Sequence, residues 1–223
     1  MITERDKKMF EIMSNFGCKT FVQVLSKTLY KDEQQARNRL NKLKKAKLIR
    51  YVQTGLMSPR NAIYLTKLGR TYVADELGLN TVETPISNVT IHHFILEQIT
   101  FYYLKKLGKN VQRASVIKWR EHHNHTPDLL YTHEDKNVYV EIERTHKRAD
   151  ALSRIFINMQ KDNIHKVLYV FENEKEMIRL GRKLPIFDKL ILVDLPTLIK
   201  SSEAGKIGAI TQSQFLINLQ KKG

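Results

Sequence analysis

The sequence predicts an α+β protein in which a mainly helical N-terminal part precedes a larger part built around a mixed sheet. Before residue 50, apolar residues recur at helical spacing in three segments, and two short strand-like runs follow them around a Gly/Pro turn. After residue 88, helical segments alternate with short apolar strands, which is typical of a sheet covered by helices. We therefore expect two domains, 1–80 and 88–223, joined by the polar segment "LNTVETPISN" at 79–88.

Composition limits the classes of function that fit. The chain has 223 residues, of which 42% are hydrophobic, and a formal net charge of +15. A single cysteine, Cys18, excludes an internal disulfide, and the charged N-terminus "MITERDKK" does not resemble a secretion signal. We expect a cytoplasmic protein that does not enter a membrane. The positive charge is spread over both halves, which favours double-stranded DNA over an anionic lipid surface as the partner.

The first three helices are read from their apolar stripes. Thr3 and Asp6 have the spacing of a helix cap before the first, and "KTFVQVLSKTLY" gives the second. In "KDEQQARNRLNKLKKAKLI", Ala36, Leu40 and Leu43 define a buried face. The opposite face carries the polar and basic residues Gln34, Arg37, Asn38, Asn41, Lys44 and Lys45.

A hairpin and a fourth helix complete the N-terminal part. The strands "LIRYVQ" and "AIYLT" flank the turn "TGLMSPRN", which contains Arg60, and "KLGRTYVADELG" closes as a helix with Leu68, Tyr72, Val73 and Leu77 inward. This order is that of a winged helix-turn-helix, whose third helix enters the major groove of DNA. The exposed face then predicts base contacts from Gln, Asn and Arg and phosphate contacts from the later lysines, and Arg60 in the turn is also expected to bind DNA. A plain solvated helix surface and a protein-docking surface are the alternatives.

The second part is predicted as an α/β domain with a mixed central sheet. A helix over "NVTIHHFILEQITFYYLKKLG" precedes a strand at "VQRASVIKW" and two strands within "TPDLLYTHEDKNVYVEIERTHK". Next come a helix at "THKRADALSRIFINMQ", a strand at "KVLYVF", a helix at "EKEMIRLGRKL" and a strand at "KLILVDL". One or two helices are expected in the tail.

The hairpin at 126–147 carries three acidic residues on one face. Side chains alternate along a strand, so Glu141 and Glu143 share a face. With a four-residue loop at 134–137, His133 would face Val138 and Asp128 would face Glu143. The opposite face then collects the apolar residues Leu129, Tyr131, Val138, Val140 and Ile142.

Three carboxylates within cross-strand reach repel one another, so a cation is expected beside them. Lys147, His146 or Arg144 could supply that charge. A hard divalent ion is the other candidate, because carboxylate oxygens suit Mg²⁺ or Mn²⁺. A carboxylate-bound cation beside a basic DNA surface predicts phosphodiester cleavage.

The pattern "PD" at 127–128 followed by "VEIE" at 140–143 resembles the PD-(D/E)XK nuclease fold. More narrowly, "LTKLGRTYVADELG", "HHFIL", "PDLL" and "VEIERTHK" resemble the plasmid replication-relaxation family over nearly the whole chain. The resemblance implies Asp128 and Glu141 as metal ligands, Glu143 as a ligand or general base, and Lys147 as an electrostatic stabiliser. The chain departs from the nuclease pattern at Glu143, where a lysine is usual.

The resemblance implies plasmid DNA relaxation or nicking by Mg²⁺- or Mn²⁺-dependent hydrolysis, or assistance to a relaxosome, during replication or mobilisation. The rival is a non-catalytic winged-helix regulator whose second domain serves dimerisation or the docking of a relaxase or replication protein.

Two further features lie near the acids. The histidines of "EHHNH" lack zinc spacing and are expected in a loop beside the DNA path. Glu97, at the edge of its helix stripe, is expected at the surface.

Overall fold

The computed structural model describes residues 1–87, 90–114, 123–144, 149–162 and 164–220. Within these residues the chain is α+β, with nine helices and two sheets. The helices are α1 (Glu4–Asn15), α2 (Val22–Thr28), α3 (Glu33–Lys45), α4 (Lys67–Leu77), α5 (Ile91–Lys106), α6 (Ala149–Lys161), α7 (Glu174–Gly181), α8 (Leu195–Glu203) and α9 (Gln212–Gln220). The strands are β1 (Lys19–Thr20), β2 (Ile49–Gln53), β3 (Asn61–Leu65), β4 (Gln112–Arg113), β5 (Leu129–His133), β6 (Lys136–Glu143), β7 (Ile164–Phe171), β8 (Leu190–Asp194) and β9 (Ile210–Thr211).

The chain forms two compact units, Met1–Tyr102 and Tyr103–Gly223. The division falls within α5, whereas the domains expected from the sequence are separated at 80–88. None of the helices in the described ranges combines the length and the apolar character needed to cross a membrane.

The first unit contains the predicted helices and hairpin, together with a short strand that was not predicted. Thr3 and Asp6 form a capping box at the start of α1, as expected. Strand β1 pairs with β3, so the sheet has the order β1-β3-β2 and is antiparallel throughout. In α4 the predicted stripe is only partly right, because Val73 is buried but Leu68 is 54% exposed.

Two other residues of the first unit bear on the sequence predictions. Cys18 is buried immediately before β1, and burial raises the pKa of its thiol to about 11, so it is unreactive at neutral pH. Glu97 of α5 is 2% exposed, so the expectation of a surface position is wrong.

In its described residues, 79–87, the polar segment after α4 has no helix or strand, but it is hydrogen-bonded to the rest of the first unit. The buried Lys19 ammonium donates to the Thr84 carbonyl at 2.8 Å, the Thr84 hydroxyl at 2.6 Å and the Pro85 carbonyl at 3.2 Å. Glu83 forms ion pairs with Arg50 and Arg70. Three hydrogen bonds saturate the buried ammonium, so this segment is an ordered part of the unit rather than a free linker.

The second unit is organised by a six-stranded sheet with the order β4-β5-β6-β7-β8-β9. Strands β6, β7 and β8 are parallel, and the outer pairings are antiparallel, so the predicted mixed sheet is confirmed. The predicted order of helices and strands is also confirmed. The first of these strands is short at Gln112–Arg113, and the rest of "VQRASVIKW", from 115 onward, lies outside the described residues.

The register predicted for the β5–β6 hairpin is wrong by two residues. His133 pairs with Lys136 and Leu129 with Val140, because the connection is a tight two-residue turn. Both turn residues, Glu134 and Asp135, have left-handed backbone with φ of 50° and 58°, which this turn type requires. A shift of two residues leaves every side chain on its predicted face, since the side-chain period of a strand is also two.

One face of this sheet, with helices α6, α7 and α9, forms the core. Its largest members from the strands are Tyr139, Tyr169 and Phe171, all fully buried. The ring of Tyr169 stacks against Phe156 of α6 with centroids 6.0 Å apart. Since Tyr139 and Tyr169 each carry a hydroxyl, this apolar face must also satisfy or tolerate polar groups.

Candidate functional site

Helix α3 presents a continuous polar and basic surface in the first unit. Asp32 caps the helix, its carboxylate accepting the Gln35 N–H at 2.8 Å, and Ala36, Leu40 and Leu43 are buried. The face predicted to contact DNA is exposed at every position, namely Gln34, Arg37, Asn38, Asn41, Lys44 and Lys45. Arg60, in the loop between β2 and β3, is exposed as well. We call these seven residues the α3 surface.

Contacts within the α3 surface orient several of its side chains. The Gln34 side-chain amide donates to the Asn38 side-chain oxygen Oδ1 at 3.0 Å, and Arg37 pairs with Glu33 at 3.0 Å. The Lys44 ammonium lies 5.3 Å from the centre of the Tyr51 ring, within range of a cation–π contact. These contacts are exposed and weak, so each side chain can exchange them for an incoming partner.

Arg39, also on α3, has a structural role that the sequence does not reveal. Its Nε donates to Asp6 Oδ1 at 2.8 Å, a second hydrogen bond reaches Oδ2, and Asp6 is fully buried. Burial opposes ionisation of Asp6, but the hydrogen bonds from Arg39 and Thr3 outweigh it and lower the pKa of the carboxyl. The ion pair therefore fixes α3 against α1, and Arg39 is not part of the α3 surface.

In the second unit the three predicted acids lie on one face near the ends of β5 and β6. Glu141 is 5% exposed and Glu143 is 3% exposed, while Asp128 is half-buried. Asp128 Oδ2 accepts the Ile142 N–H at 2.8 Å. Glu143 Oε1 accepts the Arg144 N–H at 3.2 Å. We call Asp128, Glu141 and Glu143 the acidic cluster.

Tyr169 lies beside the acidic cluster. It is the direct neighbour of Glu141 in the parallel β6–β7 pairing. Burial raises the pKa of Tyr169 well above its ordinary value, and the charges of Glu141, Glu143 and Asp128 raise it further. The Tyr169 hydroxyl is buried without a hydrogen-bond partner among the described residues. An unpaired buried hydroxyl is costly, so the site lacks an acceptor that a ligand or water can supply.

His125 belongs to the same site, which the sequence did not predict. Its Nε2 lies 2.7 Å from Glu141 Oε1, and its side chain is only 13% exposed. The imidazole also approaches the Tyr139 ring, with centroids 6.0 Å apart. The loop position expected for this histidine is confirmed, whereas its packing against Glu141 was not predicted.

Asp162 holds the loop that carries His125. The Asn124 backbone N–H and side-chain amide both donate to Asp162 Oδ1 at 2.9 Å. The His125 N–H at 3.1 Å and the Tyr139 hydroxyl at 2.9 Å donate to Oδ2. Burial opposes ionisation of Asp162, but these four bonds outweigh it and lower the pKa of its carboxyl. This acid lies outside every sequence motif, and only the fold brings it to the loop.

The donor chemistry of this site fits a divalent cation, whereas the present side-chain positions do not form a finished shell. Three carboxylates and an imidazole are suitable ligands. Yet across the part of the chain that the structure describes, no group of three or more His, Cys, Asp or Glu side chains is arranged to hold a metal ion.

The cations expected beside the acids are only partly described. Arg144 Nε lies 3.8 Å from Glu172 Oε2, so its charge is directed at least partly elsewhere. Lys147 and His146, like His122, lie outside the described residues.

Comparison with known proteins adds no assignment. No protein-family model matches the chain, and neither curated proteins nor solved structures give a significant match.

Proposed function

We propose that this protein binds double-stranded DNA through the α3 surface. The observation that carries the proposal is the exposure of all seven of its polar and basic side chains, while the apolar face of α3 is buried. The element order and the three-stranded sheet of the first unit support a winged helix-turn-helix, in which this helix enters the major groove. The net charge of +15 supports a polyanionic partner.

The chemistry of the α3 surface suits both kinds of DNA contact. Near the start of the helix, Gln34, Arg37 and Asn38 carry the donors and acceptors that pair with base edges. Towards its end, Lys44 and Lys45 carry charge suited to phosphates. Arg60, in the loop that follows β2, would reach the backbone or an adjacent groove.

The experiment is a binding titration with a labelled duplex at fixed salt. Arg37→Ala and Lys44→Ala are each expected to weaken binding about tenfold, since one charge-assisted contact contributes roughly 1–3 kcal/mol. Lys8→Ala removes the same charge from the exposed surface of α1 and is the matched control, with an expected change below about twofold. Equal losses of duplex affinity in all three variants would mean that only the net charge matters, and would contradict the proposal.

A second candidate function is divalent-metal-dependent hydrolysis of DNA at the acidic cluster. The burial of Glu141 and Glu143 on one face of β6, with Asp128 directly before the neighbouring strand β5, favours it. The strand order of the second unit supports the expected PD-(D/E)XK-like fold. The similarity of the quoted motifs to the plasmid replication-relaxation family makes plasmid DNA the proposed substrate, in replication or mobilisation. A bound Mg²⁺ or Mn²⁺ would supply Lewis-acid polarisation of the phosphodiester.

The residues of the chain would then have distinct tasks. Asp128 and Glu141 would bind the cation, with Asp128 kept in place by the Ile142 N–H. Glu143, largely buried on the same face, would be a further ligand or accept a proton from the attacking water. Lys147 would stabilise negative charge on the phosphate.

This second function is tested on supercoiled plasmid with Mg²⁺ or Mn²⁺. Nicking is expected for the wild-type chain and is expected to fall at least about a hundredfold in Asp128→Asn, because the variant loses the charge that binds the cation. Asparagine can still accept the Ile142 N–H, so the loop geometry is conserved. Asp135→Asn makes the same change at the exposed turn of the same hairpin and should nick as the wild type does.

The alternative to catalysis is a DNA-binding regulator whose second unit dimerises or docks a relaxase or replication protein. Each acid forms its own hydrogen bond, Asp128 with the Ile142 N–H, Glu141 with His125 and Glu143 with the Arg144 N–H. No three such side chains form a metal shell in the described residues, and this favours the regulator. Duplex binding with unchanged plasmid topology in every metal would support it and would contradict the hydrolytic function.

A further inference from the structure

His125 connects two features of the second unit, the loop held by Asp162 and the acidic cluster. The loop bearing it is fixed by Asp162 through four hydrogen bonds from three residues, Asn124, His125 and Tyr139. A buried carboxylate that accepts this many bonds is a stiff anchor. Asp162 thereby holds the His125 ring against Glu141 of the acidic cluster.

The His125–Glu141 contact has the dimensions of two neighbouring metal ligands. Nε2 and Oε1 lie 2.7 Å apart. Adjacent ligand atoms in an octahedral shell of about 2.1 Å radius are about 3 Å apart. A carboxylate oxygen and an imidazole nitrogen each carry an electron pair that can be donated to one cation. Only a small separation of the pair is then required.

The orphaned hydroxyl of Tyr169 is an independent sign of a missing ligand. The residue is 0% exposed and pairs with Glu141 across β6 and β7, and its hydroxyl has no hydrogen-bond partner in the described ranges. A hydrated cation held by the carboxylates would bring oxygen atoms to this position, and one of them can accept the Tyr169 O–H.

We propose that the acidic cluster and His125 form one mixed oxygen–nitrogen site, with Asp162 as its positioning residue, that prefers Mn²⁺ or a later first-row divalent cation over Mg²⁺. The proposal rests on the second function above and names the cation for it. An imidazole nitrogen is a good ligand for the later first-row ions, whereas Mg²⁺ favours oxygen and keeps its water. The later ions also bind more tightly as a rule, in the order Mn²⁺, Fe²⁺, Co²⁺.

The test measures metal binding by the full chain without DNA. Calorimetric titrations with Mn²⁺, Co²⁺ and Mg²⁺ are expected to give Mn²⁺ and Co²⁺ affinities at least about tenfold above that for Mg²⁺. His125→Ala is expected to lower the Mn²⁺ and Co²⁺ affinities about 10–100-fold and to change the Mg²⁺ affinity less than about threefold. His133→Ala, on the exposed end of β5, is the control and should leave all three affinities unchanged.

A spectroscopic measurement keeps the test independent of whether variants fold. Electron spin echo of the Mn²⁺-loaded wild-type chain should show ¹⁴N modulation from one imidazole. In a separate titration, Asp162→Asn that is shown to be folded by circular dichroism should bind Mn²⁺ about tenfold more weakly through loss of ligand positioning. Binding without ¹⁴N modulation, equal affinities for Mg²⁺ and Mn²⁺, or no binding of any cation would each overturn the proposal.

The two proposals fail separately. If Mn²⁺ binds with ¹⁴N modulation but plasmid is not nicked, the mixed cation site is supported and the hydrolytic function is contradicted. Nicking can also persist in Mg²⁺ with an unaffected His125→Ala variant, in which case hydrolysis stands and the mixed site falls.

Discussion

The α3 surface and the acidic cluster use charge in opposite ways. On α3 the charged and amide side chains are exposed and make weak contacts with immediate neighbours, such as Arg37 with Glu33. In the acidic cluster the carboxylates lie at or below the protein surface and are held by backbone N–H groups or by His125. Exposed charges are free to meet a large partner, whereas buried ones favour a small, well-defined ligand.

The largest expected effect is a loss of stability on removal of Asp162, the buried carboxylate beside the acidic cluster. Asp162→Ala removes the acceptor for four hydrogen bonds and is expected to lower the free energy of unfolding of the second unit by about 3 kcal/mol or more. Asp150→Ala, at an exposed position of α6 where the carboxylate pairs with the exposed Arg154, should change it by less than about 0.5 kcal/mol. Urea denaturation followed by circular dichroism compares the two, and similar values would refute the anchoring role.

Two arginines on α3 provide the next contrast. Arg39→Ala breaks the ion pair with the buried Asp6 and is expected to cost about 2–3 kcal/mol of stability. Arg37→Ala, two residues away and exposed, should cost less than about 0.5 kcal/mol while weakening DNA binding. Thermal unfolding measures the first effect. If Arg37 proved the more important residue for stability, the division between structural and binding arginines would be wrong.

Those arginines also show what sequence analysis could achieve. The helical period identified the buried stripe of α3 and its exposed face, because both depend only on local spacing. The partnership of Arg39 with Asp6 spans 33 residues and has no local signal. The same limit explains why a mixed sheet was predicted in the second unit while the short strands β1 and β9 were not.

For the acidic cluster, the sequence predicted correctly which face of the sheet the side chains occupy, but not which residues pair across the hairpin. Alternation along a strand places Glu141 and Glu143 on one face whatever the turn, so the shared face of the acids survived a two-residue register error. A polar four-residue loop was assumed, whereas Glu134 and Asp135 adopt the left-handed backbone of a tight turn. Asp162 and Tyr169 joined the site only through tertiary contacts.

Removal of one hydroxyl tests the unpaired donor at the cluster. Tyr169→Phe is expected to stabilise the metal-free protein by about 1 kcal/mol, because a buried O–H without an acceptor costs free energy. Tyr139→Phe is the matched control and should destabilise, since its hydroxyl donates to Asp162. Both are compared in chelator by thermal unfolding. A loss of stability in Tyr169→Phe would show that the hydroxyl already has a partner.

The smallest effects are expected in the dependence of stability on pH. The pKa values of Asp6 and Asp162 are lowered in the folded state, so their stabilising contribution is present above the ordinary carboxyl pKa. It is lost as pH falls below that value through the folded pKa. Asp6→Asn and Asp162→Asn should each flatten the acid limb of a stability–pH curve. Acid limbs as steep as that of the wild-type chain would contradict the two shifts.

The most direct test of DNA binding by the exposed α3 surface is the salt dependence of duplex affinity. A protein that contacts several phosphates loses affinity steeply with salt, with a logarithmic slope of about −0.9 for each phosphate neutralised. The double variant Lys44→Ala/Lys45→Ala should therefore bind more weakly and with a slope shallower by roughly 2 than that of the wild-type chain. An unchanged slope, or salt-insensitive binding by the wild-type chain, would contradict the account.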